Sequence, residues 1–270
     1  MFSTSFRFAL LVAIVALLNP SVFAQALDTD QIQIAPPMRQ VPPPSKDASA
    51  QELERQGDIL RAQKQYLDAI DYFQAALEKS PRSAPVLNKL GITELMLQRF
   101  KEAGKQFEKA IKVDRTFAEA VNNLGVINYE RRKYGSAVKQ YKKAIKLQPD
   151  SASFYSNLGA AYFARKDFEH ATQAYAQAVR LDPEIFEHTS HSGIAAQMAS
   201  PEDRAHYDYV VAKLYAKIGD RDRSLEFLRK SMEEGYKDFK KVYSDPEFAE
   251  LRKDARFAAL VKTQPMAIPE

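Results

Sequence analysis

Cysteine and tryptophan are both missing from this 270-residue chain, and glycine occurs only nine times. Without cysteine the chain can form no disulfide framework, no thiolate metal site, no cysteine nucleophile and no lipid attachment through sulfur. The low glycine count, taken with 14 prolines, argues against collagen, low-complexity sequence and turn-rich β-barrels. The fold must therefore be held together by packing alone.

The motifs of the common enzyme classes are also missing. The chain contains no G-x-S-x-G, no phosphate loop, no H-E-x-x-H and no glycine-rich dinucleotide turn. His188 and His191 are weak candidates for metal ligands beside Glu187, but no third and fourth ligand accompanies them at a suitable spacing. The sequence predicts a non-catalytic protein with no cofactor and no resident metal; a hydrolase built on these histidines is the alternative.

Long hydrophobic runs are scarce, and the one that matters lies at the start of the chain. It covers 11 residues from Phe8 to Leu18, follows Arg7 and precedes a small-residue stretch that reaches Ala24. This is the layout of a secretory signal peptide, and the run is shorter than the roughly 20 residues that a membrane-spanning helix needs. We therefore expect a cleaved signal peptide at 1–24, with cleavage after Ala26 as the alternative, and export to the periplasm, the cell envelope or the medium.

A proline-rich stretch follows the predicted signal peptide. Five prolines fall between Pro36 and Pro44, and residues 25–49 show no hydrophobic periodicity. This composition predicts a disordered, extended linker that spaces the folded part from its surroundings. Recognition of the stretch by a proline-binding partner is the alternative.

An internal repeat of 34 residues begins after the linker. Four columns of residues keep this step: a glycine, an alanine, an aromatic residue and a second alanine. The columns are Gly57, Gly91, Gly125 and Gly159; Ala69, Ala103, Ala137 and Ala171; Phe73, Phe107, Tyr141 and Tyr175; and Ala76, Ala110, Ala144 and Ala178. Such a period predicts units that stack along one direction.

Each unit reads as two amphipathic helices, A and then B, joined by short polar turns. Small residues in the glycine and alanine columns let the two helices approach closely, and the aromatic residue fills the space beside them. Ser83 is expected to cap the second helix A, and Thr116 with Glu119 to form a capping box at the third. One pair cannot cover its own apolar face, so stacking is required.

These residues resemble the tetratricopeptide repeat, whose pattern is L-G-x-x-Y, then A-x-x-x-F, then A and a closing P. Residues 50–183 are similar to four consecutive repeats, approximately 50–83, 84–117, 118–151 and 152–185. The tyrosine after the glycine is kept at Tyr162 and replaced elsewhere, as at Glu94. The resemblance implies an all-α fold, a right-handed superhelical α-solenoid of stacked helix-turn-helix units.

The register breaks after the fourth repeat. Residues 184–200 read as an insertion, and residues 201–236 as a divergent fifth helix pair displaced by 53 residues rather than 34. Residues 237–264 contain a short duplication of Asp, Phe and Leu, which predicts small capping helices. A solenoid needs its exposed end covered, and this segment is expected to do that.

The resemblance also implies a binding surface. In the family, helix A lines a concave groove, and set positions of helix A contact bound peptide. The candidate groove residues in this chain are Asn88, Ile92, Leu95, Asn122, Asn123, Val126, Tyr129, Asn157 and Phe163, with Met96 beside them. Asparagine can donate to and accept from the main chain of an extended peptide. Asparagines that merely satisfy neighbouring turns or water are the alternative.

The resemblance also allows two other binding modes to be considered: carboxylate binding as in co-chaperones, and binding through the lysines of helices B. Co-chaperone members of the family hold a carboxylate with a set of lysine, arginine and asparagine residues that no three repeats here supply. The lysines cluster on helices B, which the resemblance places on the convex side: Lys101, Lys105, Lys109 and Lys112, then Lys139, Lys142, Lys143 and Lys146. They favour a solvated face, or peripheral attraction to anionic lipid or envelope polysaccharide, rather than nucleic-acid binding.

The sequence therefore predicts an exported scaffold that binds a protein or an extended peptide in its groove and supports an assembly in the cell envelope. Binding of an envelope polysaccharide or anionic surface through the convex lysines is the alternative function. The net charge of +4 is too small to decide between them.

Overall fold

The structure is a computed structural model that describes residues 39–186 and 201–262. Residues from Val41 onward belong to one compact unit, which contains all the helices of these two ranges. The predicted signal peptide, the first part of the predicted linker and almost all of the insertion lie outside the described residues. So do His188 and His191.

Within the described ranges the regular structure is helical, with no strand. The α-helices are α1 (Ala50–Ala62), α2 (Tyr66–Lys79), α3 (Ala84–Met96), α4 (Phe100–Val113), α5 (Ala118–Glu130), α6 (Tyr134–Leu147), α7 (Ala152–Ala164), α8 (Phe168–Leu181), α9 (Pro201–Ile218), α10 (Arg221–Glu233) and α11 (Ala255–Lys262). Consecutive helices pack as pairs, and each pair packs on the next. The predicted all-α solenoid of stacked helix pairs is confirmed.

The glycine and aromatic columns explain how closely the two helices of a pair approach. A methyl group built on Gly57, Gly91, Gly125 or Gly159 would come within 2.5–2.7 Å of a ring carbon of the aromatic residue 16 positions later. Those rings are at most 1% exposed, so they cannot swing away. Glycine is required here because the ring occupies the space of a side chain.

The turn between the two helices of each pair is also repeated. Lys64, Gln98, Arg132 and Lys166 all have φ between 57° and 62°, the left-handed region. The next residue donates its N–H back into helix A, as Arg99 does to the Glu94 carbonyl at 2.9 Å. In the fifth pair the corresponding residue is Gly219, with φ of 86°. Glycine carries no steric penalty in this conformation, whereas the four other residues do.

Helix entry follows the prediction at one of the two predicted caps. The Ser83 side chain accepts a hydrogen bond from the Val86 N–H and caps α3. The capping box predicted for α5 is wrong: the N-cap is Phe117, which makes no side-chain cap. The Thr116 hydroxyl instead donates to the Asp114 carboxylate at 2.6 Å. Thr116 lies one residue before the N-cap, and its hydroxyl points back to Asp114 rather than to the N–H groups of the helix.

The fifth pair, α9 and α10, keeps the arrangement with different residues. Ser224 and Ser231 replace the two column alanines, and both are fully buried. Their hydroxyls donate to helix A carbonyls, Ser224 to Ala212 at 2.9 Å and Ser231 to Ala205 at 2.8 Å. A buried hydroxyl needs such a partner.

After α10 the chain forms three short 3₁₀ helices and then α11. The 3₁₀ helices are Phe239–Tyr243, Pro246–Phe248 and Leu251–Lys253. Their buried side chains, with Phe257 and Leu260 of α11, pack in one core cluster with residues of α9 and α10. This segment lies at the end of the solenoid, where the sequence predicts a cap.

The predicted disordered linker needs a correction at its end. Residues 41–48, which we call the strap, contact the first helix pair: Val41 and Ala48 pack against its core cluster. Side chains of α2 also bind the strap backbone. The prediction of disorder was based on the proline content. It did not take into account the contacts that the apolar Val41 and the backbone carbonyls can make.

None of the helices in the two described ranges combines the length and the hydropathy that crossing a bilayer requires.

Candidate peptide-binding groove

The asparagines of helices A form a hydrogen-bonded row that crosses three helix pairs. The Asn157 amide donates to Asn122 Oδ1 at 3.1 Å, and the Asn122 amide donates to Asn123 Oδ1 at 3.3 Å. The Asn123 amide then donates to Asn88 Oδ1 at 2.9 Å. We call these four residues the asparagine ladder. It joins α7 to α5 and α5 to α3, so it fixes the register between neighbouring helices A.

A charged contact continues this row into the first pair. The Lys89 ammonium on α3 lies 2.6 Å from Glu54 and 2.5 Å from Asp58, both on α1. Burial disfavours the charge of Lys89, but the hydrogen bonds to Asp58 and Glu54 outweigh it, and the pKa of Lys89 is raised above its ordinary value. Lys89 and Glu54 are 35 residues apart, the same separation as in the two ladder bonds between pairs. Equivalent positions of helices A are thus joined by an ion pair between the first two helix pairs and by amide hydrogen bonds between the later ones.

The two ends of the asparagine ladder keep unused hydrogen-bonding capacity. Within the described residues no hydrogen bond engages the Asn88 amide nitrogen or the Asn157 side-chain oxygen. Neither atom is among the fully buried side-chain atoms that lack a partner. The ladder therefore ends in one donor on α3 and one acceptor on α7, each able to meet a main-chain group.

Several candidate groove residues need a correction because they are core residues. Leu95, Val126, Tyr129 and Phe163 are between 1% and 7% exposed and belong to the largest core cluster. Phe163 packs edge-on against Phe168, with ring centroids 5.1 Å apart, and touches rings of α9 as well. Phe163 is thus covered by the next helix pair. These four side chains pack on other core residues, whereas Asn88 and Asn157, although only 7% and 5% exposed, each keep a polar atom that is not fully buried.

The remaining apolar candidates are more accessible. Ile92 is half-buried, and Met96, one turn further along α3, is 43% exposed. Asn88 and these two residues lie at spacings of four along α3, which puts them on one face of the helix. The asparagine ladder, Ile92 and Met96 together form the surface that we call the groove.

A buried carboxyl group on α3 was not predicted as functional. Glu94 occupies the slot where the family has tyrosine, and it is only 5% exposed. Burial raises its pKa to about 7; a hydrogen bond from Gln106 opposes this rise, and the charge of Glu102 adds to it. The sequence signal was the departure itself, an acid in an aromatic column.

The eight lysines of helices B are all exposed. Among the described residues none of them forms an ion pair, although the Lys142 ammonium lies 5.4 Å from the centre of the Tyr162 ring. Glu102 and Glu108 lie among the lysines of α4, and none of the eight ammonium groups is held by a carboxylate of the described residues. This face could attract an anionic polymer or surface by Coulomb forces.

Within the described ranges, no group of three or more His, Asp or Glu side chains could hold a metal ion. The absence of a resident metal stays a prediction, because His188 and His191 lie outside those ranges.

Stacked helix pairs, each packed on the next, define the class of α-solenoid proteins. Profiles of the tetratricopeptide repeat match residues 48–116, 88–145, 127–164 and 152–185. Together these matches cover all four regular helix pairs. The chain belongs to the tetratricopeptide repeat family, whose members are in general non-catalytic protein-interaction modules.

Individual relatives are distant. A chloroplastic protein of Arabidopsis thaliana is 36% identical over 63 residues, which are 23% of this chain and 19% of that protein. PilF of Pseudomonas aeruginosa is 19% identical, with a TM-score of 0.52 over 78% of this chain and 87% of that one. A thermophilic tetratricopeptide repeat protein of Thermus thermophilus is 23% identical, with a TM-score of 0.49 over 79% of this chain and 100% of that one. At these identities the structural likeness concerns the fold alone.

Proposed function

We propose that this protein is an exported scaffold that binds an extended segment of another protein in the groove of helices A and supports an assembly in the cell envelope. The observation that carries this proposal is the asparagine ladder with its two unused ends. A donor at Asn88 and an acceptor at Asn157 can pair with the main chain of a peptide of any sequence. Ile92 and Met96 supply apolar contact beside the donor.

The mechanism is rigid display. The inner members of the ladder, Asn122 and Asn123, are at most 3% exposed and hydrogen-bond to each other, so they hold the helices rather than touch the ligand. The groove is therefore formed before a partner arrives. Little conformational entropy is then lost on binding, and more of the contact energy appears as affinity.

Export is proposed from the N-terminal sequence. The short apolar run after Arg7 and the small residues before Gln25 have the order of a secretory signal. Intact-mass analysis of the protein recovered from the envelope fraction tests this proposal. A mass that corresponds to a chain starting at Gln25, or at Leu27, supports it, and a chain that retains its first 24 residues in the cytoplasm contradicts it.

Groove binding is tested by affinity capture from an envelope extract with the mature chain. The test variant carries Asn88→Asp, Ile92→Ser and Met96→Ser, which removes the free donor but keeps the oxygen that Asn123 donates to. The matched control carries Lys101→Ser, Lys105→Ser and Lys109→Ser, three exposed positions on α4 of the same pair. Circular dichroism confirms that both variants remain helical.

The expected result is a defined protein that the wild type and the lysine variant capture and the groove variant loses. Equal capture by all three proteins contradicts groove binding. Loss with the lysine variant alone favours the second candidate function.

That second candidate is binding of an envelope polysaccharide or anionic surface through the convex lysines. It is favoured by eight exposed lysines that form no ion pair within the described residues. Such binding should weaken steeply as salt rises from about 0.05 to about 0.5 M, because the Debye length falls. Groove binding through amides and apolar side chains should depend on salt much less.

A further inference from the structure

Three side chains of α2 bind the backbone of the strap. The Asp68 carboxylate accepts from the Val41 N–H at 3.4 Å, the Tyr72 hydroxyl donates to the Pro42 carbonyl at 3.2 Å, and the Lys79 ammonium donates to the Lys46 carbonyl at 2.7 Å. All three contacts go to the main chain of the strap. We call Asp68, Tyr72 and Lys79 the strap face of α2.

The spacing of these contacts matches an extended proline-rich chain. Asp68 and Lys79 are 11 positions apart in an α-helix, which at about 1.5 Å per residue is about 16 Å. Val41 and Lys46 are five positions apart, and an extended chain at about 3.1 Å per residue is long enough to cover this distance before the turn at Lys46 and Asp47. The contacts follow one another in the same order along the strap and along α2.

Two residues at the start of the strap, three positions apart, are partly covered. Val41 and Pro44 are half-buried, whereas the two prolines between them are exposed. Residues three apart share a face of a polyproline II helix, and this fits Val41 to Pro44; the next such position, Asp47, is exposed and lies in a turn. Val41 packs on the first core cluster together with Tyr72 and Ala75 of α2. The strap thus places an apolar residue on the first core cluster and two of its carbonyls, those of Pro42 and Lys46, at hydrogen-bond donors of α2.

The other regular helices B do not carry this set of residues. We compared the positions of Asp68, Tyr72 and Lys79 with the equivalent positions of the other helices B. In α4 they are Glu, Gln and Val, in α6 Ser, Gln and Leu, and in α8 His, Ala and Leu. These residues are Glu102, Gln106 and Val113; Ser136, Gln140 and Leu147; and His170, Ala174 and Leu181. The strap face is therefore a particular feature of the first repeat rather than a consequence of the repeat pattern.

We propose that the strap face of α2 is a binding site for extended, proline-containing peptides, and that the strap occupies it as a ligand in cis. The partner that fits it is a segment of another protein with an apolar residue followed by prolines, as in Val41 to Pro44. This site is separate from the groove and does not depend on the groove being functional. A tethered ligand has an effective concentration of roughly millimolar, so a partner segment must displace it.

The test uses the mature chain and a fluorescent peptide with the sequence of residues 39–48, RQVPPPSKDA, followed by anisotropy. The strap variant carries Val41→Ser and Pro44→Ser, which weakens the cis ligand and leaves α2 unchanged. The face variant adds Tyr72→Phe and Lys79→Met. The matched control instead adds Lys112→Met, an exposed lysine near the end of α4, to the strap variant.

We expect the strap variant to bind the peptide at least about fivefold more tightly than the wild type, since cis competition is relieved. The control should match the strap variant, and the face variant should lose at least about fivefold. A peptide with all three prolines replaced by glycine should bind at least about fivefold more weakly.

Equal binding by wild type and strap variant overturns the proposal, as does unchanged binding by the face variant. Unchanged binding of the glycine peptide overturns the proline-specific part. The melting temperature, read by circular dichroism, separates loss of a site from loss of folding. Because none of these proteins is altered in the groove, failure here leaves the groove experiment unaffected.

Discussion

The four regular helix pairs and the fifth pair pack their helices with different residues. In the regular pairs a glycine on helix A faces a phenyl or phenol ring on helix B. In the fifth pair the corresponding residues are Ala212 and Leu228, and both are fully buried. A larger residue on one helix is thus accompanied by a smaller one on the other. The fold conserves the combined volume of the two side chains rather than either residue.

The two regions also differ in how buried polar groups join neighbouring units. The regular pairs use the asparagine ladder, whose bonds connect residues 35 positions apart. The fifth pair has no asparagine in this slot; the Tyr209 hydroxyl donates to Asp245 at 3.0 Å, and Lys213 lies 2.9 Å from the same carboxylate. The ladder thus gives way to an ionic contact where the solenoid meets its cap. Specific bonds between units set register in both regions, while packing supplies most of the stability.

The largest effect is expected from adding a methyl group to a regular pair. Gly125→Ala places a carbon within 2.5 Å of the Tyr141 ring, so we expect the free energy of unfolding to fall by about 2–3 kcal/mol. Adding Tyr141→Leu reproduces the residues of the fifth pair and should restore at least half of the loss. Urea unfolding followed by circular dichroism measures both changes.

Tyr141→Phe is the control for this pair of substitutions. The Tyr141 hydroxyl is buried without a hydrogen-bond partner in the described structure, so its removal should be neutral or stabilising, and it should not rescue Gly125→Ala. If Phe rescues as well as Leu, steric conflict with the ring is not the cause.

Breaking the asparagine ladder should have the next largest effect. Asn122→Ala leaves the Asn157 amide and Asn123 Oδ1 without their partners, which should cost about 2 kcal/mol. Ser224→Ala, the comparable change in the fifth pair, restores the residue of the other repeats and should cost about 1 kcal/mol or less, although it frees the Ala212 carbonyl. Chemical denaturation of the two variants side by side checks this order, and a larger loss for Ser224→Ala would reverse the comparison.

Each region contains a buried acid with a raised pKa that makes stability depend on pH. Burial raises the pKa of Glu94 to about 7, and burial with the charge of Glu234 raises that of Asp208 to about 7. In both cases the folded pKa exceeds the unfolded one, so these groups favour folding at low pH, and the contribution is lost as pH rises through 7. Between pH 6 and 8 the free energy of unfolding should fall by about 1 kcal/mol for each group.

Glu94→Gln and Asp208→Asn should each remove part of this slope. Stability measured at pH 6, 7 and 8 tests the sign, because paired surface carboxylates would give no loss over this range. A slope that stays the same in both single variants would show that other groups cause it.

The smallest effects concern the turn between helices A and B. Gln98→Gly should stabilise the protein by about 0.5 kcal/mol, because Gln98 has φ of 57°, where glycine is unstrained. Gly219→Ala, at φ of 86° in the fifth pair, should destabilise by about 1 kcal/mol. Thermal unfolding resolves both changes, and shifts of the same sign would contradict the assignment of strain to this position.

The sequence predicted the fold better than the site, for physical reasons. A fixed 34-residue step in the glycine, alanine and aromatic columns determines that helix pairs stack, since each pair leaves an apolar face uncovered. Which side chains stay accessible depends on how closely neighbouring pairs approach. That is why Phe163, predicted as a flat surface for a peptide, lies in the core.

Hydrogen-bond partners were equally hard to predict. Asn123 and Asn157 occupy the same slot, yet each donates to the asparagine one position earlier in the preceding repeat, Asn88 and Asn122. The strap was missed because an aperiodic proline-rich stretch carries no helical signal, and its contacts come from residues about 30 positions away on α2.

The most direct test of groove binding is to locate a partner on the molecule by site-specific photo-crosslinking in cells. One protein carries a photoreactive phenylalanine analogue in place of Met96 in the groove, and the other carries it in place of Lys109 on the convex face; both positions are exposed. Our account predicts a discrete adduct of the mature protein from position 96 and none from position 109. An adduct from position 109 alone, or the same adducts from both positions, would contradict it.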